Sequence, residues 1–429
     1  MGGWFRGMAL AGALLLCVVT GVGGSAGATP VDPGDVDTET ILVKFADAGA
    51  APALVRRFGD DLAARLHGGL AVVQLRGLSV SRAVALYSLL PGVEYAEANG
   101  IARADLAAPN DPSFGSQWGM TAVQAVAGWG SYPGSYVLGG GQTVAVLDTG
   151  VQRTHPDLDQ HLLNGASCLN GTCVAGGWED DNGHGTHVAG IAAAETNNRT
   201  GVAGVAFSST VLPVKVLDSR GSGSYASIMA GIDWAVDAGA KVVNLSLSGT
   251  TYSASLCAAT SRAQAAGVLV VAAAGNNATS EPNYPAACAG VVGVAATDST
   301  DRYASFSAYG SPNVFVSAPG ASIYSTMRGS TYATYSGTSM AAPHVAGLAA
   351  LLFGQSPGRG IADVKSILAR TSDKVGTSAY GGDPYATCTG CSWTSRYGYG
   401  RINVARALAG GTAPSPPSPP SPPSPPSPP

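Results

Sequence analysis

The sequence predicts an α/β fold in which a parallel sheet is flanked by helices on both faces, preceded by a small α+β domain. Three observations predict it. Five short, Val-rich apolar runs lie between residues 143 and 296, and they are nearly continuous rather than alternating, as strands buried on both faces require. Helical patterns separate these runs, which gives parallel strands joined by crossovers. A shorter segment ahead of them has its own strand and helix order and is closed off by Pro, Asn and Asp punctuation.

The first element is not part of either domain. Arg6 precedes an uncharged run from Met8 to Val19 and the small residues Ala26-Gly27-Ala28, which predicts a secretory signal over 1–28. The run is too short to span a bilayer, and no later segment has eighteen uninterrupted apolar residues, so no membrane span is expected. Over 39–103 the chain reads as strand Thr40–Phe45, helix Ala53–Leu66, strand Leu70–Leu75, helix Val80–Leu90 and strand Val93–Glu97, a β-α-β-α-β order. The larger domain is expected over 110–409. Its strands are read at Thr143–Leu147, Val211–Leu217, Val242–Leu247, Val268–Ala273 and Val291–Ala296, and its helices around His184–Ala194, Ser224–Ala238, Ala258–Ala266 and Ser339–Phe353. In the last segment, 410–429, Ser415–Pro429 is five copies of Ser-Pro-Pro. Such a tail is a polyproline II rod roughly 45 Å long at about 3.1 Å per residue, and it cannot join a core.

Composition narrows the function. Only 12% of the 429 residues are charged, the formal net charge is −4, and no block of Lys and Arg occurs. A nucleic-acid footprint and a polybasic membrane patch are therefore not expected. Cysteine usage fits export: Cys17 falls in the signal, and the other six form neighbouring pairs, Cys168/Cys173, Cys257/Cys288 and Cys388/Cys391. Six cysteines allow fifteen connectivities, so nearest-neighbour pairing is one hypothesis among them. Cys388-Thr389-Gly390-Cys391 can be read as a redox or zinc motif; with no second ligand pair nearby, a small disulfide-closed loop is favoured.

Three motifs carry chemistry, in the chain order Asp, His, Ser. In Val146-Leu147-Asp148-Thr149-Gly150 a strand ends in a carboxylate and a turn glycine. An aspartic protease would need a second such triplet, which the chain lacks. In Asn182-Gly183-His184-Gly185-Thr186-His187 an imidazole opens a helix, where the dipole disfavours its charged form, so base catalysis there needs a carboxylate close by. His184 and His187 could instead share a helix face and bind metal, but no Glu accompanies them as in zinc hydrolases. In Ser336-Gly337-Thr338-Ser339-Met340-Ala341-Ala342-Pro343-His344 a hydroxyl opens a second helix, where free backbone N–H groups can receive negative charge. Taken alone, Ser339 reads as a helix N-cap.

Together the three motifs resemble the subtilisin-type serine proteases, the subtilases, and most closely their thermitase-like branch. The resemblance spans nearly all of Asn110 to Ala407, including Asn110-Asp111-Pro112, Val270-Val271-Ala272-Ala273-Ala274-Gly275-Asn276 and Tyr399-Gly400-Arg401-Ile402-Asn403. It implies a secreted serine endopeptidase with Ser339 as nucleophile, His184 as general base and then acid, Asp148 as the carboxylate that fixes the imidazole, and Asn276 as an oxyanion-hole amide. His187 and His344 are then packing and hydrogen-bonding residues. Gly221-Ser222-Gly223 and Ser246-Leu247-Ser248 match the segments that sandwich the substrate as an added strand. Such pairing implies broad specificity, and the small wall at Ala274 and Gly275 implies an apolar or aromatic residue before the scissile bond. Ser248 stands where most members have Gly.

The resemblance also implies a structural calcium ion. Asp111 and Asp157, the Asn198 amide and the carbonyls of Glu195, Thr200 and Val202 would form an oxygen cage, against the plain reading of surface acids and a turn-rich loop. Asn198-Arg199-Thr200 is also a glycosylation sequon, as are Asn170-Gly171-Thr172, Asn244-Leu245-Ser246 and Asn277-Ala278-Thr279. Calcium is favoured at Asn198 and a glycan at Asn170. Ile41-Leu42-Val43-Lys44-Phe45 and Leu90-Pro91-Gly92-Val93-Glu94-Tyr95 resemble the family's ferredoxin-like inhibitory propeptide, which implies a zymogen that cuts itself between about 99 and 110. The expected partners are peptide or protein substrates and the chain's own propeptide, with a monomeric enzyme. The Ser-Pro-Pro tail resembles hydroxyproline-rich matrix proteins, so cell-wall or matrix association is a further expectation. An inactive subtilase fold used for binding, or a structural matrix protein, are the alternatives.

Overall fold

The computed structural model describes residues 36–100, 107–130 and 140–410. The expected signal over 1–28 and the Ser-Pro-Pro tail lie outside the described residues, as does 101–106 of the expected processing stretch. The chain divides into two compact units between residues 101 and 102.

The first unit runs β1 (Val36–Phe45), α1 (Ala51–Arg57), β2 (Asp61–Arg65), β3 (Leu70–Gln74), α2 (Val80–Tyr87) and β4 (Val93–Gly100). Its antiparallel sheet has the order β2-β3-β1-β4. Alternate residues of β1, Ile41, Val43 and Phe45, are buried with Val73 of β3, Val55 of α1 and Tyr87 of α2, giving the unit its own core. The expected helix from Ala53 to Leu66 is corrected here. It stops at Arg57, and the chain returns as β2, so the order is β-α-β-β-α-β. Gly59, at φ +77°, takes the left-handed turn that ends a helix. Just beyond it, the buried Asp60 carboxylate accepts hydrogen bonds from Arg76 N and Tyr87 Oη at 2.7 and 2.9 Å.

The second unit opens with α3 (Trp118–Ala122) and α4 (Ala125–Trp129), followed by β5 (Val144–Asp148), β6 (Ala166–Ser167), β7 (Val174–Ala175) and α5 (His184–Ala193). Then come β8 (Val211–Lys215), α6 (Tyr225–Asp237), β9 (Val242–Leu245), α7 (Ala254–Ala265), β10 (Leu269–Ala273), β11 (Val292–Thr297) and β12 (Val316–Pro319). A hairpin of β13 (Ile323–Met327) and β14 (Thr331–Tyr335) leads into α8 (Thr338–Gln355), α9 (Ile361–Thr371) and α10 (Val404–Gly410). The sheet order is β12-β11-β10-β9-β5-β8-β6-β7, with every pair parallel except β6 with β7.

Period-two alternation divides each central strand between two helical layers. Val144 and Val146 of β5, with Leu269, Val271 and Ala273 of β10, pack on the side of α5 and α8. Ala145, Leu147, Val270 and Ala272 pack on the side of α6 and α7. Both faces are therefore apolar, which is why these strands are legible as continuous runs. The strand order reverses at β5, whose neighbours are β8 on one side and β9 on the other. A crevice forms at the carboxyl ends of strands where order reverses, and Asp148 is the last residue of β5.

The three nearest-neighbour disulfides are formed: Cys168–Cys173, Cys257–Cys288 and Cys388–Cys391. Among the described residues no helix is long and apolar enough to cross a membrane.

Candidate active site

Asp148 is fully buried, and its Oδ1 lies 2.7 Å from His184 Nδ1. The carboxylate can only accept, so Nδ1 carries the proton and Nε2 is the ring nitrogen left for chemistry. Gly185 makes this approach possible. A Cβ there would stand 2.1 Å from the Gly150 carbonyl oxygen and 3.0 Å from Asp148 Cβ, so any other residue would push the first turn of α5 off the strand end. Burial pulls the His184 pKa down, but the Asp148 charge and hydrogen bond, with the Asp180 charge behind them, leave it above the ordinary value.

Asp180 is the residue that sequence reasoning missed. Its buried carboxylate accepts from Thr149 Oγ1, the Asn182 and Gly183 amides, and both the amide and hydroxyl of Thr186, at 2.6 to 3.0 Å. Thr149 Oγ1 in turn accepts from Gly185 N at 2.9 Å. The acid thus ties the turn after β5 to the start of α5 and satisfies helix-terminal donors. An acid four residues before His184, directly ahead of a polar turn, was the available signal.

Ser339 lies in the first turn of α8, and the N-cap is Gly337 rather than Ser339, which removes the capping alternative. Pro343 has no N–H, so the Ser339 carbonyl loses its helical donor four residues on. Ser246 Oγ replaces it at 2.7 Å, itself held by Asn244 Nδ2 at 2.9 Å. The Ser339 hydroxyl donates to the Ser246 carbonyl at 3.0 Å, so it is parked on the β9 end rather than on the imidazole. Catalytic hydrogen bonds are commonly unmade in a free enzyme.

Asn276 follows the end of β10 and is exposed. Its Oδ1 accepts from both Thr338 N and Thr338 Oγ1 at 2.9 Å, and Thr338 Oγ1 accepts from Gly275 N at 3.1 Å. With Oδ1 occupied, Nδ2 faces the space beside Gly337. A Cβ on Gly337 would lie 3.4 Å from Asn276 Nδ2, 3.6 Å from Ser339 N and 3.8 Å from Asn276 Oδ1, so two N–H donors lie beside one point that the missing side chain leaves open.

The remaining expected substrate residues are placed unevenly. Gly221, Ser222 and Gly223 are exposed after β8, in a turn whose Ser222 and Arg220 amides donate to Asp218 Oδ1. Leu247 is half-buried and Ser248 exposed after β9, so the two segments flank the Asp148 end of the sheet. The Ser246 side chain is buried with its Oγ on the Ser339 carbonyl, and the Ala274 side chain is buried with Ala295, Ala308 and Val314.

His187 and His344 are buried. His187 stacks on Tyr335, and its Nε2 lies 3.1 and 3.0 Å from the carbonyls of Ile323 and Ala333. His344 Nδ1 meets the Met340 carbonyl at 2.9 Å. Burial pushes both pKa values down to about 4, which keeps them neutral.

The Asp111 and Asp157 carboxylates are gathered around the 195–202 loop. Asp111 accepts from the Asn197 and Asn198 amides at 2.8 and 3.3 Å, and Asp157 Oδ2 accepts from Val202 N at 2.7 Å. Burial, with the charges of Asp111 and Glu195 added, pushes Asp157 up to about 7. Asn198 presents Nδ2, not the expected oxygen, to Asp157 at 3.1 Å, while its Oδ1 accepts from Thr200 N. The Glu195 carboxylate accepts from Gln160 N at 2.8 Å. Among the described residues no three His, Cys, Asp or Glu side chains are grouped to hold a metal, so amide and carbonyl oxygens would have to complete the shell. With the Asn198 amide turned over to present Oδ1, the donor set would be all oxygen, which fits calcium rather than a softer ion.

The Subtilase family model matches residues 139–400, and the Fervidolysin N-terminal prodomain model matches 27–99. Thermitase from Thermoactinomyces vulgaris is 47% identical over 301 residues, covering 70% of this chain and 99% of thermitase. Thermophilic serine proteinase from Bacillus sp. (strain AK1) is 44% identical over 320 residues, 74% of this chain and 73% of that protein. A solved protease structure from Pseudoalteromonas arctica PAMC 21717 aligns with TM-score 0.61 at 34% identity, covering 71% of this chain and all of that one.

Proposed function

Because the chain belongs to the subtilase family of serine endopeptidases and carries an N-terminal prodomain, we propose that Ser339, His184, Asp148 and Asn276 perform peptide hydrolysis. The observation that carries this is the 2.7 Å contact of Asp148 with His184, together with the two N–H donors beside the space at Gly337. Ser339 Oγ, released from the Ser246 carbonyl, attacks the scissile carbonyl carbon as His184 Nε2 takes its proton. Asp148 holds the Nδ1 proton and stabilises the imidazolium. The negative oxygen of the tetrahedral intermediate accepts from Asn276 Nδ2 and Ser339 N. His184 then gives its proton to the leaving amine, and water, deprotonated by the same nitrogen, releases the acyl group from Ser339.

Gly221–Gly223 and Ser246–Ser248 bind the substrate main chain as an added strand, which gives broad specificity, with an apolar or aromatic residue before the scissile bond. The prodomain inhibits until the enzyme cuts its own chain between about 99 and 110, and the product is a secreted monomer. The test is labelling by a serine-directed organophosphate: the mature enzyme takes up one label, located by mass spectrometry on Ser339. No labelling would remove the proposal.

Asn276→Leu keeps the side-chain size and deletes one donor. We expect kcat to fall about 10²–10³-fold with KM little changed, the loss seen for the amide donor of subtilisin, a relative of this chain. A variant within threefold of the parent kcat would take Asn276 out of the oxyanion site.

Asp111, Asp157, Asn198 and the carbonyls of Glu195, Thr200 and Val202 would hold calcium, which would neutralise the gathered acids and fasten the 195–202 loop. At free calcium about a thousand times its Kd, binding adds about 4 kcal/mol, or roughly 10 °C in Tm for a domain this large. Organophosphate-inactivated enzyme, which cannot digest itself, should lose about that much on chelation. An unchanged Tm would refute the site.

A further inference from the structure

A cavity of about 450 Å³ opens beside the proposed active site, lined by Tyr252, Tyr284, Asn277, Thr250 and Glu281. Its position follows from two short connections. Asn277 is the residue after Asn276, and Gly249, just past Ser248, pairs in both directions with Tyr284 at 2.8 Å. The loops after β9 and β10 are thereby stitched together, and the cavity lies between them.

The walls are chemically specific. Tyr252 and Tyr284 meet edge to face with ring centroids 5.4 Å apart, and Tyr252 is 65% exposed, so its ring surface is open to a ligand. Glu281 is the only ionisable acid in the wall, and no lining residue is cationic. Among the described residues the Glu281 carboxylate makes no ion pair, while its backbone carbonyl is held by the Asn283 and Asn313 amides at 3.2 and 2.8 Å. The segment is thus fixed, and Glu281 is exposed in the cavity wall. An apolar stem with a positive tip suits this arrangement: methylenes along the tyrosine rings, the cation near the aromatic faces and the carboxylate.

We propose that this cavity makes Glu281 and Tyr252 specificity determinants that admit a lysine or arginine side chain of the substrate beside the scissile bond. The inference rests on the endopeptidase reading above and adds a second class of residue to the apolar and aromatic ones. A purely apolar side chain gains the tyrosine surface and nothing from Glu281; a cationic one gains both. Surface exposure limits the gain, since solvent and salt screen an exposed charge pair.

The discriminating substrates are two peptides differing only in lysine against norleucine before the scissile bond, a cation against its neutral counterpart of similar length. Enzyme matured from the full chain should show a lysine-to-norleucine ratio of kcat/KM that falls about three- to tenfold in Glu281→Gln. The same ratio should fall in the parent enzyme when salt is raised from 0.05 to about 0.5 M, and respond little to salt in the variant. Tyr252→Leu, which keeps the carboxylate, should lower the ratio less. Equal ratios in parent and Glu281→Gln overturn this inference alone. Failure to cleave either peptide, with no organophosphate label, overturns the endopeptidase reading and this inference with it.

Discussion

Ser339→Ala is expected to lower kcat/KM by about 10⁶ and to leave the chain uncut between 99 and 110. The magnitude is that found for the nucleophile of subtilisin, a relative of this chain, where removing the serine or the histidine alone costs nearly the whole gain. The structural argument is that nothing nearby can replace the hydroxyl. Ser246 Oγ is committed to the Ser339 carbonyl, which Pro343 leaves without a helical donor, and Thr338 Oγ1 is committed to Asn276 and Gly275. The substitution removes one donor to the Ser246 carbonyl and leaves the backbone clasp intact, so folding should survive. Residual hydrolysis of about 10³–10⁴ over water would remain from the Asn276 and Ser339 amides. Electrophoresis with N-terminal sequencing reads the processing defect, and active enzyme added in trans should cut the variant, separating lost chemistry from misfolding. Activity within tenfold of the parent would exclude Ser339 as the nucleophile.

What the sequence could disclose follows from what each element depends on. The central strands were legible because both faces are apolar, a property of the strand itself: Val144–Leu147 and Leu269–Ala273 alternate between two helical layers, and every position is hydrophobic. β2 was illegible because Asp61-Leu62-Ala63-Ala64-Arg65 has helix-forming residues, and only its pairing with β3, Asp61 against Gln74 and Arg65 against Ala71, makes it a strand. The β13–β14 hairpin was overlooked although Arg328-Gly329-Ser330 is a plausible turn between two Thr- and Tyr-bearing runs. It matters because it supplies the two carbonyls that fix His187. At the site, Asp148, His184, Ser339 and Asn276 each lie at the end of an element, where a local motif marks them. The burial of Ser246 depends on which distant groups face it, and no local pattern carries that. Asn198 shows the same limit: its sequence neighbours suit a calcium loop, but its amide nitrogen is turned to Asp157, 41 residues away in sequence.

Asp148→Asn should cost about 10⁴ in kcat while the fold persists, and its pH dependence distinguishes an electrostatic role from a merely structural one. The carboxylate accepts from both His184 Nδ1 and its neighbouring Thr149 amide, each at 2.7 Å. An amide in its place can turn its nitrogen toward the ring, which then keeps its proton on Nε2 and cannot accept one from Ser339. The sign of the pH effect follows from the charges. His184 acts as a base only when neutral, so activity rises as pH passes upward through its pKa. That pKa is lowered by burial and raised further still by Asp148. Removing the negative charge leaves burial with less opposition, so the pKa falls and the acid limb of kcat/KM moves to lower pH, even as the plateau drops. A substitution that only loosened the turn after β5 would lower the plateau without displacing the limb in that direction. An acid limb that stays in place or moves to higher pH would show that Asp148 does not set the charge state of His184.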